Sequence, residues 1–269
     1  MMNLNGNDPI GVFDSGLGGL TVVKELLYEL PNERIVYFGD TARVPYGTKS
    51  RETIIRYSKE IVGVLLKKRV KMVVVACNTA SSLALDVLKA EYKLPIIGVI
   101  DPGARKAAES TKNKKVGIIA THSTVKSGKY AKRLKDFKKG LSILSQPCPL
   151  FVPLVEEGWL EHDITIRTAQ EYLKEMKSSK VDTLILGCTH YPLLKKTIGF
   201  VMGPSVTLID SAKEVALEVK SILIERGLLR TALKPADHMY LVCDEPEIFK
   251  YRAVNFLGRS MDNVKRCSL

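Results

Sequence analysis

The chain has 269 residues, 45% of them hydrophobic and 26% charged, which is enough for a sizeable core in one large domain or two of ordinary size. No apolar run approaches the ~20 residues a membrane-spanning helix needs, so no membrane role is expected. The formal net charge of +12 comes from dispersed lysines and arginines. The densest segments, KNKK (112–115) and KYAKRLKDFKK (129–139), do not define a nucleic-acid partner: the second has helical spacing and reads as a solvated face, and a positive field also suits an anionic substrate.

At the N-terminus, MMNLNGND has neither the basic n-region nor the apolar h-region of a signal peptide. Strands are predicted near 10–14, 34–38, 71–76, 96–100, 116–120, 141–144, 181–187, 205–209 and 238–243. Helical patterns lie between them, among them 49–69, 79–91, 123–138, 161–177 and 211–226. The strands are apolar throughout rather than alternating, as in parallel sheets covered on both faces, and the β/α alternation gives the α/β class. At the C-terminus, RCSL puts Cys267 third from the end, whereas prenylation needs the fourth. The five cysteines form no CxxC pair, which argues against disulfides and structural zinc. A cytoplasmic location is expected.

A faint duplication runs through the alternation. IGVFDSG (10–16) is answered by VGIIATHS (116–123), and VVVACNTASSLAL (73–85) by LILGCTHYPLL (184–194). Gly117 lies 106 residues beyond Gly11, and Cys188 lies 111 beyond Cys77. Two near-equal offsets in one order predict two similar parallel-sheet halves related by a pseudo-twofold, with the site in the cleft between them. The expected division is residues 1–100 plus 209–269 for the first domain and 101–208 for the second. The crossings fall at DPGA (101–104) and near LIDSA (208–212).

DSGLGGL (14–20) follows a strand and opens a helix, as a dinucleotide-binding turn does, with Asp40 placed like a ribose-binding acid. Thr21 stands where that pattern needs Gly or Ala, and the polar pair Asp14-Ser15 precedes the glycines, so a nicotinamide site is not expected. The glycines still predict a tight turn or a close backbone approach. Either Cys77 or Cys188 alone reads as a small buried residue. As a pair, each at a strand end and each followed by hydrogen-bonding residues, they suit chemistry: a helix N-terminus favours thiolate and offers N–H groups to a carboxylate. Cys188 with His190 would make a nucleophile pair but leaves Cys77 unexplained. Two thiols on opposing half-sites suit inversion of a stereocentre, which needs a base on one face and an acid on the other.

At these residues the chain resembles the glutamate racemases, of the cofactor-independent aspartate/glutamate racemase family. The likeness covers nearly the whole chain: GVFDSGLGGLTV (11–22), YFGDTARVPYG (37–47), ACNTAS (76–81), PLVEEG (153–158) and LGCTHYPLL (186–194). VPYG joined to DSGLGG separates this group from relatives acting on aspartate or hydantoins. The resemblance implies glutamate held between two α/β domains, no cofactor and no metal, and D-glutamate supplied to peptidoglycan synthesis; a homodimer is a candidate assembly that the sequence itself does not give. It implies that Cys77 takes the α-proton from D-glutamate and Cys188 from L-glutamate. Asp14 would support Cys77, and His190 would support Cys188 with help from Glu156. Asp14, Ser15, Asn78, Thr79, Thr189 and His190, with the backbone around Pro45, Tyr46 and Gly47, would hold the substrate, and Thr121 and Thr124 would lie near it. LVCDEPEIF (241–249) departs from the glycine-containing turn expected before the last helix, at a place away from the proposed chemistry. The rival readings are a cysteine hydrolase or transferase using Cys188 and His190, and a non-catalytic two-lobed amino-acid-binding protein.

Overall fold

The computed structural model describes residues 4–232 and 236–269. Among these, the strands are β1 (Ile10–Asp14), β2 (Ile35–Gly39), β3 (Met72–Val75), β4 (Ile96–Gly98), β5 (Lys115–Ala120), β6 (Ser142–Pro147), β7 (Thr183–Gly187), β8 (Thr207–Asp210), β9 (Met239–Val242) and β10 (Val264–Arg266). They form two sheets, ordered β10-β9-β2-β1-β3-β4 and β6-β5-β7-β8. Every ladder is parallel. The central strands β1, β2, β3 and β7 are buried along their whole length, which is why they read as unbroken apolar runs. The order β2-β1-β3-β4 recurs as β6-β5-β7-β8, so the strands of the two matched segments occupy equivalent places in the two sheets.

The helices are α1 (Leu20–Glu29), α2 (Arg51–Lys67), α3 (Asn78–Leu83), α4 (Leu85–Glu91), α5 (Ile100–Ser110), α6 (His122–Lys126), α7 (Lys129–Phe137), α8 (Phe151–Glu156), α9 (Asp163–Ser178), α10 (Lys195–Met202), α11 (Ser211–Glu225) and α12 (Pro246–Leu257). Two expected helices are each divided. Residues 79–91 break at Ala84, and 123–138 break at Gly128, whose φ of +64° lies in the left-handed region that glycine tolerates. The expected crossing at DPGA lies inside α5, where Pro102 sits in the first turn and so needs no intrahelical donor. The second crossing is tight: Asp210 ends β8 in the second sheet and caps α11, its Oδ1 accepting from Ala212 N at 2.9 Å. Among the described residues, no helix is long and apolar enough to cross a membrane.

The C-terminal segment returns to the first sheet, with β9 beside β2 and β10 outside it. A buried clasp ties this return at the end of the sheet opposite the site. Lys71, fully buried just before β3, donates to Glu33 Oε2 at 2.6 Å, Gly6 O at 2.7 Å and Leu228 O at 2.8 Å. Glu33 Oε1 accepts from Arg230 N at 2.8 Å. Removing one partner of such a pair leaves a charge without compensation. Glu33→Ala should therefore cost about 3 kcal/mol or more of unfolding free energy in urea titration. A loss below about 1 kcal/mol would show that the clasp adds little to stability.

Candidate active site

The carboxyl ends of β1, β3, β5 and β7 point their following loops at one cavity of about 340 Å³. Parallel α/β sheets bind ligands at this end, and the volume suits a small molecule. Its wall includes Ser15, Pro45, Tyr46, Gly47, Cys77, Asn78 and Thr79 from the first half. Thr121, Glu156, Cys188, Thr189 and His190 come from the second. Of the residues expected from sequence, Asp14 and Thr124 do not border the cavity. Asp14 is fully sealed behind the first wall, and Thr124 is buried behind Thr79 and Thr121. Gly16, Val44, Val152 and Pro153 also line the cavity and were not singled out in the sequence, because apolar and glycine wall positions carry no chemical signature.

On the first side, Cys77 caps the short α3, and its thiol reaches Ser15 Oγ at 4.0 Å. The helix N-terminus was expected to lower its pKa. Burial, followed by the negative charge of Asp14, instead pushes the thiol up to about 12, against a favourable N–H from Ala80. Asp14 Oδ2 accepts from Gly16 N at 2.9 Å, and Oδ1 accepts from the Thr189 hydroxyl at 3.4 Å. Burial still raises the Asp14 pKa, opposed by His190 and by these donors. Thr79, Thr121 and Thr124 join their hydroxyls at 3.0–3.3 Å across the two halves. Tyr46 is fixed from behind by its hydroxyl, which donates to the buried Asp40 Oδ2 at 2.5 Å.

On the second side, Cys188 is followed by a 3₁₀ turn (Tyr191–Leu194) rather than an α-helix, so no full macrodipole acts on it. Its sulfur lies 3.9 Å from His190 Nδ1, and His190 Nε2 lies 2.9 Å from Glu156 Oε1. Burial disfavours the imidazolium, but the sulfur and the Glu156 carboxylate outweigh it and raise the His190 pKa to about 10. Burial alone would raise the Glu156 pKa; His190 and Arg252 bring it below the usual carboxylate range. Phe256 meets the imidazole edge-on at 5.4 Å, fixing the ring plane from α12.

The glycines of the dinucleotide-like turn serve protein packing. A Cβ on Gly18 would lie 2.1 Å from Thr189 Oγ1 and 2.7 Å from His190 Nδ1, and one on Gly19 would lie 2.4 Å from Asp14 Cβ. Among the described residues, no three His, Cys, Asp or Glu side chains group as a set of metal ligands.

Cys77 lines this cavity from one half and Cys188 from the other, with Asp14 acting on the first thiol and His190 beside the second. That arrangement suits acid–base chemistry from two sides, on a scaffold of two parallel sheets. The chain belongs to the Asp/Glu/Hydantoin racemase family, whose model matches residues 10–219. It is 49% identical to the glutamate racemase of Geobacter metallireducens over 260 residues, 97% of this chain and 96% of that one. Its fold matches glutamate racemase isoform RacE1 of Bacillus anthracis with a TM-score of 0.95 at 38% identity, over 98% of this chain and 99% of that one. It also matches the Francisella tularensis glutamate racemase solved in complex with D-glutamate, with a TM-score of 0.91 at 39% identity and 98% of each chain covered.

The His190 pKa has a consequence for stability. It stands at about 10 in the folded chain against 6.5 for the free side chain. The stabilisation is therefore fully present below pH 6.5 and is lost as the pH rises through about 10. Cys77 adds a further fall above pH 9, where the unfolded thiol ionises and the folded one keeps its proton. Glu156→Gln should flatten the loss of unfolding free energy between pH 6.5 and 9, measured by urea titration at several pH values, and should leave the fall above pH 9. An unchanged slope would show that Glu156 does not hold the imidazolium.

Proposed function

We propose that this protein interconverts L- and D-glutamate by proton transfer at Cα between two thiols, without cofactor or metal. The observation that carries the reading is the placement of Cys77 and Cys188 on one cavity from opposite halves. The relatives named glutamate racemase support the choice of substrate, as does the one solved with D-glutamate.

In this reading Cys188 removes the α-proton of L-glutamate as its thiolate takes up H⁺, and the Cys77 S–H delivers a proton to the opposite face of the carbanion. The D-to-L direction exchanges the roles. The electrostatics support this starting state. Burial and Asp14 keep Cys77 protonated, while a cationic His190 sets positive charge beside Cys188. Asp14 acts on Cys77 through its charge, and Glu156 acts through His190. Ser15, Asn78, Thr79, Thr121 and Thr189, with the backbone N–H groups of Tyr46 and Gly47, offer donors to the carboxylate groups, and hydroxyl and carbonyl oxygens such as that of Pro45 offer acceptors to the α-amino group. Fixed donors there stabilise the negative charge that grows as the α-proton leaves. The reading divides the chain into a first domain of residues 1–100 plus 209–269 and a second domain of residues 101–208. That β8 pairs with β7 in the second sheet supports a second break at the end of β8, close to that bound. It also places the enzyme in the cytoplasm, feeding D-glutamate to peptidoglycan synthesis.

Dialysed protein with a chelator and L-glutamate in deuterated water should lose optical activity while deuterium appears at Cα. If both signals stay flat in folded protein, the reading fails. Cys77→Ala should cut racemisation at least about 10²-fold, the usual lower bound for a positioned acid–base group. A hydrolase built on Cys188 and His190 would tolerate that change, so retained turnover would favour the rival.

A further inference from the structure

We infer that Tyr130 is a positioning residue for substrate recognition: its hydroxyl fixes which end of the Asn78 amide meets the substrate. The inference rests on the reading in which Asn78 binds glutamate.

Tyr130 belongs to the first turn of α7 and is 2% exposed. Its hydroxyl crosses from the second half to the first and donates to Asn78 Oδ1 at 2.7 Å. It also lies 3.2 Å from Ser211 Oγ, at the start of α11. A phenol has one proton, and a carbonyl oxygen can only accept, so with that proton on Asn78 the Ser211 hydroxyl must donate to the phenol oxygen. Burial raises the Tyr130 pKa, so the phenol keeps its proton across the working range. Space for the relay comes from α5, where a Cβ on Gly103 would lie 2.2 Å from Ser211 Oγ.

The other end of the amide is free to serve a ligand. Among the described residues, Asn78 Nδ2 has no protein hydrogen-bond partner, and it is not one of the sealed polar atoms left without one. Asn78 borders the cavity, so Nδ2 is available there as a neutral two-proton donor suited to a carboxylate. Without the phenol the amide can rotate and offer its oxygen instead, which a carboxylate repels. The relay is therefore a device that selects for an anionic group at this point in the cavity.

Tyr130→Phe keeps the ring and removes the relay. A donor that holds the carboxylate equally in ground and transition states acts on KM, so KM for both enantiomers should rise about five- to tenfold with kcat nearly unchanged. In an Asn78→Ala background, Tyr130→Phe should have no further effect on KM, because its partner is already gone. Unchanged KM in the single variant, or a fully additive effect in the double variant, would overturn the inference. If Tyr130→Phe fails to fold, Ser211→Ala takes its place. A KM rise of about twofold in folded Ser211→Ala supports the relay, and no rise overturns it. Absence of racemisation in the unmodified protein would instead defeat the glutamate reading.

Discussion

No side chain fits between the glycine turn after β1 and the Cys188-Thr189-His190 segment after β7. The nearest approach, at Gly18, leaves 2.1 Å where a Cβ would need well over 3 Å, so the two halves meet backbone against side chain. The contact is polar as well as close. The Thr189 hydroxyl donates to Asp14, and the Thr21 hydroxyl lies 3.1 Å from Thr189 O. Separation of the two thiols is therefore set by this packing and not by a flexible hinge at the site itself.

The same contact makes the two sulfurs unlike. Asp14 adds negative charge behind Cys77, and His190, held by Glu156, adds positive charge beside Cys188. In the proposed reaction the thiols exchange roles with direction, so neither partner can be tuned for one role alone. Burial and the carboxylate behind Cys77 keep its proton on, and His190 sets positive charge beside Cys188. The proposed reaction needs one protonated and one ionised thiol, the one combination able to take a proton on one face and return one on the other. Two thiolates would lack the acid, and two thiols would lack the base.

Much of this was legible in the sequence because the features involved are local. Strand ends buried on both faces leave continuous apolar runs, and a cysteine at such an end, twice over, marks both thiols that line the cavity. The misses have physical causes. β10 is short, at the sheet edge and charged, so VKR gives no strand signal. Gly128 and Ala84 interrupt patterns whose apolar periodicity continues across them. DPGA looks like a linker because Pro and Gly punctuate most chains, yet both are admissible in this first helical turn, and Gly103 is needed where Ser211 presses in. Tyr130 could not be found from sequence at all, since its role depends on a hydrogen bond across 52 residues to the other half.

The C-terminal segment shows why motifs alone understate the site. In the altered LVCDEPEIF turn, Glu245 takes a φ of +45°, a left-handed conformation that glycine would adopt without strain and that costs another residue about 1–2 kcal/mol. The turn nevertheless reaches toward the cavity: the Cys243 thiol donates to Asp40 Oδ1 at 3.2 Å, and Asp40 in turn holds Tyr46. The helix that follows presses Phe256 on His190. One late segment thus supports the first wall through Asp40 and the second through an aromatic contact, although none of its residues borders the cavity. Geometry at the two thiols is therefore a property of the whole chain. Cysteine-bearing loops supply the two thiols, and residues more than sixty positions away along the chain help hold the walls around them.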